Sequence, residues 1–234
     1  MSAGSGWMHL TALGDSAVLL PVAVLLAVWL LMQRASRRHG LWWLLLLAGC
    51  IGGVAVSKLA YMGWGLYPPG LDFVGLSGHC ALSFLIWPTV AALLAARARP
   101  LWRGSAVALG ALLALGISVS RLAVDAHTPS EAALGALWGA LFGALFLWIT
   151  RHSPRLRGRA GWAAFGLLLP VLLMYGRVLP SNRILAGVAR TISGHARIYT
   201  RCDLPRALRG DACAPAPRPR RAPARGSRIP NARH

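Results

Sequence analysis

The chain has 234 residues, 56% of them hydrophobic and 13% charged, with a mean hydropathy of +0.54. That balance argues against an ordinary soluble domain and for a polytopic membrane protein. The formal charge of +19 is almost all arginine, 24 Arg against one Lys, yet it does not mark a nucleic-acid binder. In the body of the chain the arginines cluster in short loops between apolar runs, as membrane topology dictates.

Six apolar stretches follow one another, at roughly 16–32, 41–64, 80–96, 104–120, 130–150 and 161–179. Each is near the ~20 residues that cross a bilayer as a helix. The predicted fold class is therefore all-α, a six-span transmembrane bundle over residues 1–180. Pro21, Pro88 and Pro170 fall inside spans, where kinks are expected. Small residues between Gly135 and Ala144 predict close helix contact. The first fifteen residues lack the basic stretch that opens a cleavable signal peptide, so none is expected. After residue 180 the character changes. Residues 181–200 are mildly amphipathic and predict a short interfacial helix. Residues 201–234, rich in Pro and Arg, are expected to be a disordered basic tail. Cys50 and Cys80 lie in apolar runs and are expected to pack; Cys202 and Cys213 can pair if the tail meets an oxidising compartment.

The loops set the orientation. The connections at 33–40, 97–103 and 151–160 carry ten basic residues, whereas 1–15, 65–78 and 121–129 carry one, Arg121. The positive-inside rule then places the first set in the cytoplasm. Lys58, His79, Arg121 and His127 all fall at or near the outer face.

Those residues are the candidates for chemistry, because ionisable groups at the edge of hydrocarbon are costly. Lys58 and Glu131 are the chain's single lysine and single glutamate. Lys58 fits a phosphate ligand or a snorkelling interface residue. His127 and Glu131, four apart, share a helix face. The carboxylate can fix the imidazole tautomer and leave the other nitrogen as nucleophile or base. Thr128-Pro129-Ser130-Glu131 also reads as a capping box, a role compatible with the first. Arg121 brings a guanidinium fork suited to phosphate oxygens. Ser77-Gly78-His79 opens the third span, where free N–H groups favour an anion and His79 can protonate a leaving alkoxide. A second copy, Ser193-Gly194-His195, precedes no apolar run and reads as coincidence.

In this order the pieces resemble the type 2 phosphatidic acid phosphatase superfamily, which shares its core with vanadium haloperoxidases. Its third motif is almost whole: Ser120-Arg121, five residues, His127, three residues, then Glu131 in place of Asp. Its second motif appears as Leu76-Ser77-Gly78-His79, without the leading proline. Its first keeps Lys58, with Gly65-Leu66 where Arg-Pro would stand. The resemblance implies that His127 attacks phosphorus, Glu131 orients it and His79 protonates the leaving oxygen. Lys58, Ser77, the Gly78 N–H and Arg121, with Ser120 beside it, would hold the phosphoryl oxygens.

The expected function is an integral-membrane phosphatase that uses no metal and no cofactor. It would hydrolyse a lipid phosphate or polyprenyl pyrophosphate through a phosphohistidine at the outer face of a bacterial cytoplasmic membrane. The bacterial source is an expectation from heavy Ala and Arg use. Two alternatives stand beside it: a lipid-linked phosphotransferase using the same site, and a catalytically degenerate membrane protein. Membrane lipids, rather than nucleic acid, are the expected partners of the basic tail.

Overall fold

In hydrocarbon every backbone polar group needs an internal partner, so apolar runs of this length resolve as helices. The computed structural model describes residues 3–96, 98–151 and 169–209, and the regular structure among them is entirely helical. Helix α1 covers Ala3–Ala12, α2 Ser16–Met32, α3 Arg37–Trp64, α4 Gly78–Leu94, α5 Pro100–Ala123 and α6 Pro129–Thr150. Four segments of the described residues are long and apolar enough to cross a membrane: Gly6–Met32, Arg37–Trp64, Pro100–Ala123 and Pro129–Thr150. Helix α4 is apolar but shorter, at 17 residues. Residues 161–168 of the expected sixth span, 161–179, lie outside the described residues; its stretch 169–174 is helical. The outer loop expected before the first span is instead α1, which packs beside α5.

The core lies between α2, α3, α4 and α6. Leu19, Leu26, Leu30, Trp43, Leu85, Ile86 and Phe146 are almost wholly buried there. Trp43 meets Phe146 edge-on at 5.1 Å and donates its indole N–H to Ala23 O at 2.9 Å. Leu44, Leu45, Leu109, Leu112, Leu137 and Leu141 point outward and are exposed, as a lipid-facing belt requires. Helix α4 packs along both α5 and α6. The α4–α6 seam is made of glycines. A Cβ at Gly135 would come within 2.6 Å of Ser77 O, and one at Gly139 would overlap Ala81 O. Lipid tails are as apolar as leucine, so backbone approach of this kind is what holds such helices together.

The turns at 13–15, 65–77 and 124–128 collect at one end of the bundle, and the connections at 33–36 and 98–99, with one arginine in each, at the other. The chain after residue 175 returns to the first end. Helix α7, Ser181–Ser193, lies on α3 with Ala189 fully buried, while Ile184, Val188 and Ile192 form an exposed apolar stripe. Gly194 (φ 70°) caps α7, and His195 Nδ1 sits 2.9 Å from Gly63 O, so the second Ser-Gly-His is a helix end.

Residues 201–209 belong to the stretch expected to be disordered, yet they form a 3-10 turn, Arg201–Asp203, and a short helix α8, Arg206–Arg209. Local bonds explain this. Thr200 and Asp203 cap each other, Tyr61 donates its hydroxyl to Thr200 O at 2.7 Å, and Tyr199 N–H donates to Met62 O at 2.8 Å. Cys202 is disulfide-bonded. Its expected partner Cys213 and the rest of the tail, 210–234, lie outside the described residues.

Candidate active site

The start of α6 builds the tightest part of the site. Thr128 accepts from Glu131 N–H, and Glu131 Oε2 accepts from Thr128 N–H at 3.3 Å, closing the capping box. Such a cap stabilises a helix by about 1 kcal/mol. The same Oε2 lies 2.7 Å from His127 Nδ1. A carboxylate only accepts, so Nδ1 carries the proton and Nε2 is left as the basic nitrogen. Glu131 Oε1 accepts from Val74 N–H at 3.0 Å and from Arg201 at 2.5 Å. The carboxyl is fully buried, and its acceptor positions are filled by four donors. Capping and orienting thus coexist in one side chain. The turn before it, with Asp125 in the left-handed region (φ 51°), carries the chain from Arg121 to His127. Burial holds the His127 imidazole below its ordinary range despite its bond to Glu131, and Lys58 and Arg121 push the same way.

His79 stands in the first turn of α4. Its Nε2 lies 3.3 Å from Asp15 Oδ2. Asp15 is itself the N-cap of α2, accepting from Ala17 N–H at 2.8 Å, and it also accepts from Leu179 N–H at 3.1 Å. Sequence reasoning missed this residue. An aspartate immediately before an apolar run is the available signal, and it announces a cap without announcing a histidine.

Lys58 is buried, not snorkelling, and Nζ donates to Asn182 Oδ1 at 2.7 Å. The loop backbone at Gly75 (φ 127°) lies against its stem, where a Cβ would approach Lys58 Cγ to 2.5 Å. Arg121 donates to Thr11 Oγ1 at 3.3 Å, and its buried Nε has no partner among the described residues.

Lys58, Gly78, His79, Arg121 and His127 all line one cavity of ≈ 250 Å³. No carboxylate is among the described residues lining it, and Leu20, Ile51, Val54, Leu82 and Leu185 make up an apolar wall. Next to it a chamber of ≈ 920 Å³ shares His79 and Arg121 and adds Asp15, Arg177 and Arg183. Three expected residues do not reach the cavity. Glu131 stands behind His127. Ser120 is buried, bonded to Ile117 O at 2.6 Å and to Thr11 Oγ1 at 3.0 Å. Ser77 is buried at the α4–α6 seam with its N–H on Glu131 O at 3.2 Å; its Oγ has no partner among the described residues. Among the described residues no group of three or more His, Cys, Asp or Glu is placed to hold a metal.

A family model described as the PAP2 superfamily matches residues 61–155, a range that holds Ser77 to Glu131 and begins just after Lys58. A relative from Klebsiella pneumoniae, described as an uncharacterized 22.5 kDa protein in the cps region, is 37% identical over 202 residues. The aligned part covers 85% of this chain and 97% of the relative. No solved structure matches the chain. With cationic, imidazole and carboxylate groups gathered at one end of an apolar bundle, and with that match over the segment that carries them, the chain belongs to the PAP2 superfamily of phosphatase-type membrane proteins.

Proposed function

We propose that this protein is a six-span, metal-independent phosphatase acting on a lipid phosphate or pyrophosphate through a phosphohistidine. The observation that carries the reading is the His127–Glu131 pair. Its 2.7 Å bond uses Nδ1 and leaves Nε2 for a cavity that also receives Lys58, His79 and Arg121. Nε2 attacks phosphorus, and the bond from phosphorus to the lipid oxygen breaks. His79 gives that oxygen its proton. Water then attacks the phosphohistidine, losing a proton to His79, and phosphate leaves with His127 restored. Lys58 and Arg121 neutralise the charge gathering on the phosphoryl oxygens. The apolar wall suits a lipid tail, and Arg177 and Arg183 in the adjoining chamber add positive charge beside His79 and Arg121.

The ten-to-one loop bias favours a site on the outer, periplasmic side of a bacterial cytoplasmic membrane. A disulfide at Cys202, at the same end as the site, agrees with that side, because the cytosol keeps thiols reduced.

Purified protein in detergent with EDTA, given dioctanoyl phosphatidic acid or farnesyl diphosphate, is expected to release phosphate and to be inhibited by vanadate. His127→Ala is expected to lower the rate by roughly 10⁴-fold or more. Release that survives this substitution undiminished rules the mechanism out.

A further inference from the structure

Arg201 comes from well beyond the family match, yet it ends on the buried Glu131 carboxylate. NH2 lies 2.5 Å from Glu131 Oε1, and NH1 pairs with Asp72. We infer that Arg201 is a positioning residue for the transfer reaction proposed above: it pins one oxygen of Glu131 so that the other holds the His127 ring in line. The inference rests on that reading of the site.

Glutamate has one more rotatable bond than the aspartate of the family motif, so a carboxylate on it has more ways to miss. Here Oε1 is fixed from two directions, by Val74 N–H and by Arg201. Asp72 extends the restraint. Its carboxylate takes the second arm of Arg201, and its backbone carbonyl accepts from Thr128 Oγ1 at 2.8 Å and Ser130 Oγ at 2.6 Å. One guanidinium therefore ties the 65–77 loop to the first turn of α6. An exposed ion pair is worth little, but here one end is a fully buried carboxylate and the geometry is charge-assisted.

The arginine is itself held. The strap around it is fastened to the end of α3 through Tyr61 and Met62, and Tyr199 packs on Gly65. Asp203 accepts from Thr200 N–H at 2.7 Å and from Arg197 at 2.6 Å, stiffening the turn that presents Arg201. Gly65 is also where the family's first-motif arginine would stand, so an arginine from the C-terminal strap arrives near the end that lost one. It arrives at the orienting carboxylate, not in the phosphate cavity.

The groups facing His127 are Glu131 from α6, Lys58 from α3, Arg121 from α5 and His79 from α4. Arg201 adds positive charge behind the carboxylate and so weakens its hold on a proton at His127. Removing it both loosens the ring and lets His127 keep that proton to higher pH.

The test uses full-length protein in detergent, with dioctanoyl phosphatidic acid and farnesyl diphosphate as probes and wild type and His127→Ala as references. Arg201→Met is expected to lower kcat by on the order of tenfold to a hundredfold, with KM changing far less, and to move the acid limb of the kcat profile to higher pH. Arg201→Lys is expected to restore part of both. If Arg201→Met is not monodisperse, Arg201→Lys is read alone against wild type. Wild-type kcat and an unmoved acid limb in the folded variant overturn the inference. So does a lowered kcat with an unmoved limb, which means a structural role only. An active wild type with an inactive His127→Ala leaves the function standing whichever way Arg201 falls; inactive wild type on both probes removes the function and this inference together.

Discussion

Two histidines line the same cavity, and the carboxylates that back them are built in differently. His127 and Glu131 are four residues apart, 2.7 Å between atoms, with the carboxylate held by three further donors. His79 and Asp15 come from different helices, and their atoms stand 3.3 Å apart. The first pair is rigid, which suits the proposed nucleophile, whose nitrogen must point at phosphorus within a fraction of an ångström. The second is looser, which suits a group proposed to give up a proton and take one back. A tight carboxylate would hold such a proton too well.

The sharpest way to break this contrast is His79→Asn. A lost general acid is expected to cost about 10²–10⁴-fold on an alkyl phosphate. The loss is expected to shrink on p-nitrophenyl phosphate, whose leaving group needs no proton. Equal losses on both substrates, measured side by side, would assign His79 to binding. Asp15→Asn is milder, because backbone donors at Ala17 and Leu179 still find an acceptor. About a tenfold fall in kcat is expected on the alkyl substrate, by the loss of one orienting contact, and little on the nitrophenyl one. A uniform fall would make Asp15 only a helix cap.

The smallest effect is on pH. In the proposed mechanism the attacking form of His127 is neutral, and burial lowers its pKa from the ordinary 6.5. The rate should therefore rise with pH through a limb that lies below the usual imidazole range. The same sign applies to stability. A histidine kept neutral by folding contributes fully above its unfolded pKa, and that contribution is lost as pH falls towards the folded one. A kcat limb above the ordinary imidazole value would show that burial does not govern this ring.

The contrast also explains what the sequence could and could not disclose. His127, Glu131 and the cap are legible because a helix start turns a spacing of four into contact. The bundle end is legible because loop arginines report topology without any packing information. Asp15, Asn182 and Arg201 are not legible. Arg201 lies 70 residues from Glu131 and Asn182 lies 124 from Lys58, and no local period links such pairs. The motif serines mislead in the other direction. Ser77 and Ser120 occupy the expected positions, yet their hydroxyls are spent in the helix packing or stay off the cavity. Residues 201–209 were misread because Pro and Arg content describes the whole tail, whereas a few bonds to Tyr61 and Met62 decide its first turn.

The glycine seam between α4 and α6 reaches further than packing. Gly139 is eight residues from Glu131, about 12 Å along the helix. Main chain touches main chain there, so no rotamer exists to absorb a misfit. An added methyl must be transmitted as a sliding or tilting of one helix, and the helix ends that move are those bearing His79 and Glu131. The seam is therefore a gauge block: from within the buried α4–α6 contact it sets the spacing between the helix ends that carry the proposed proton donor and the carboxylate behind the proposed nucleophile.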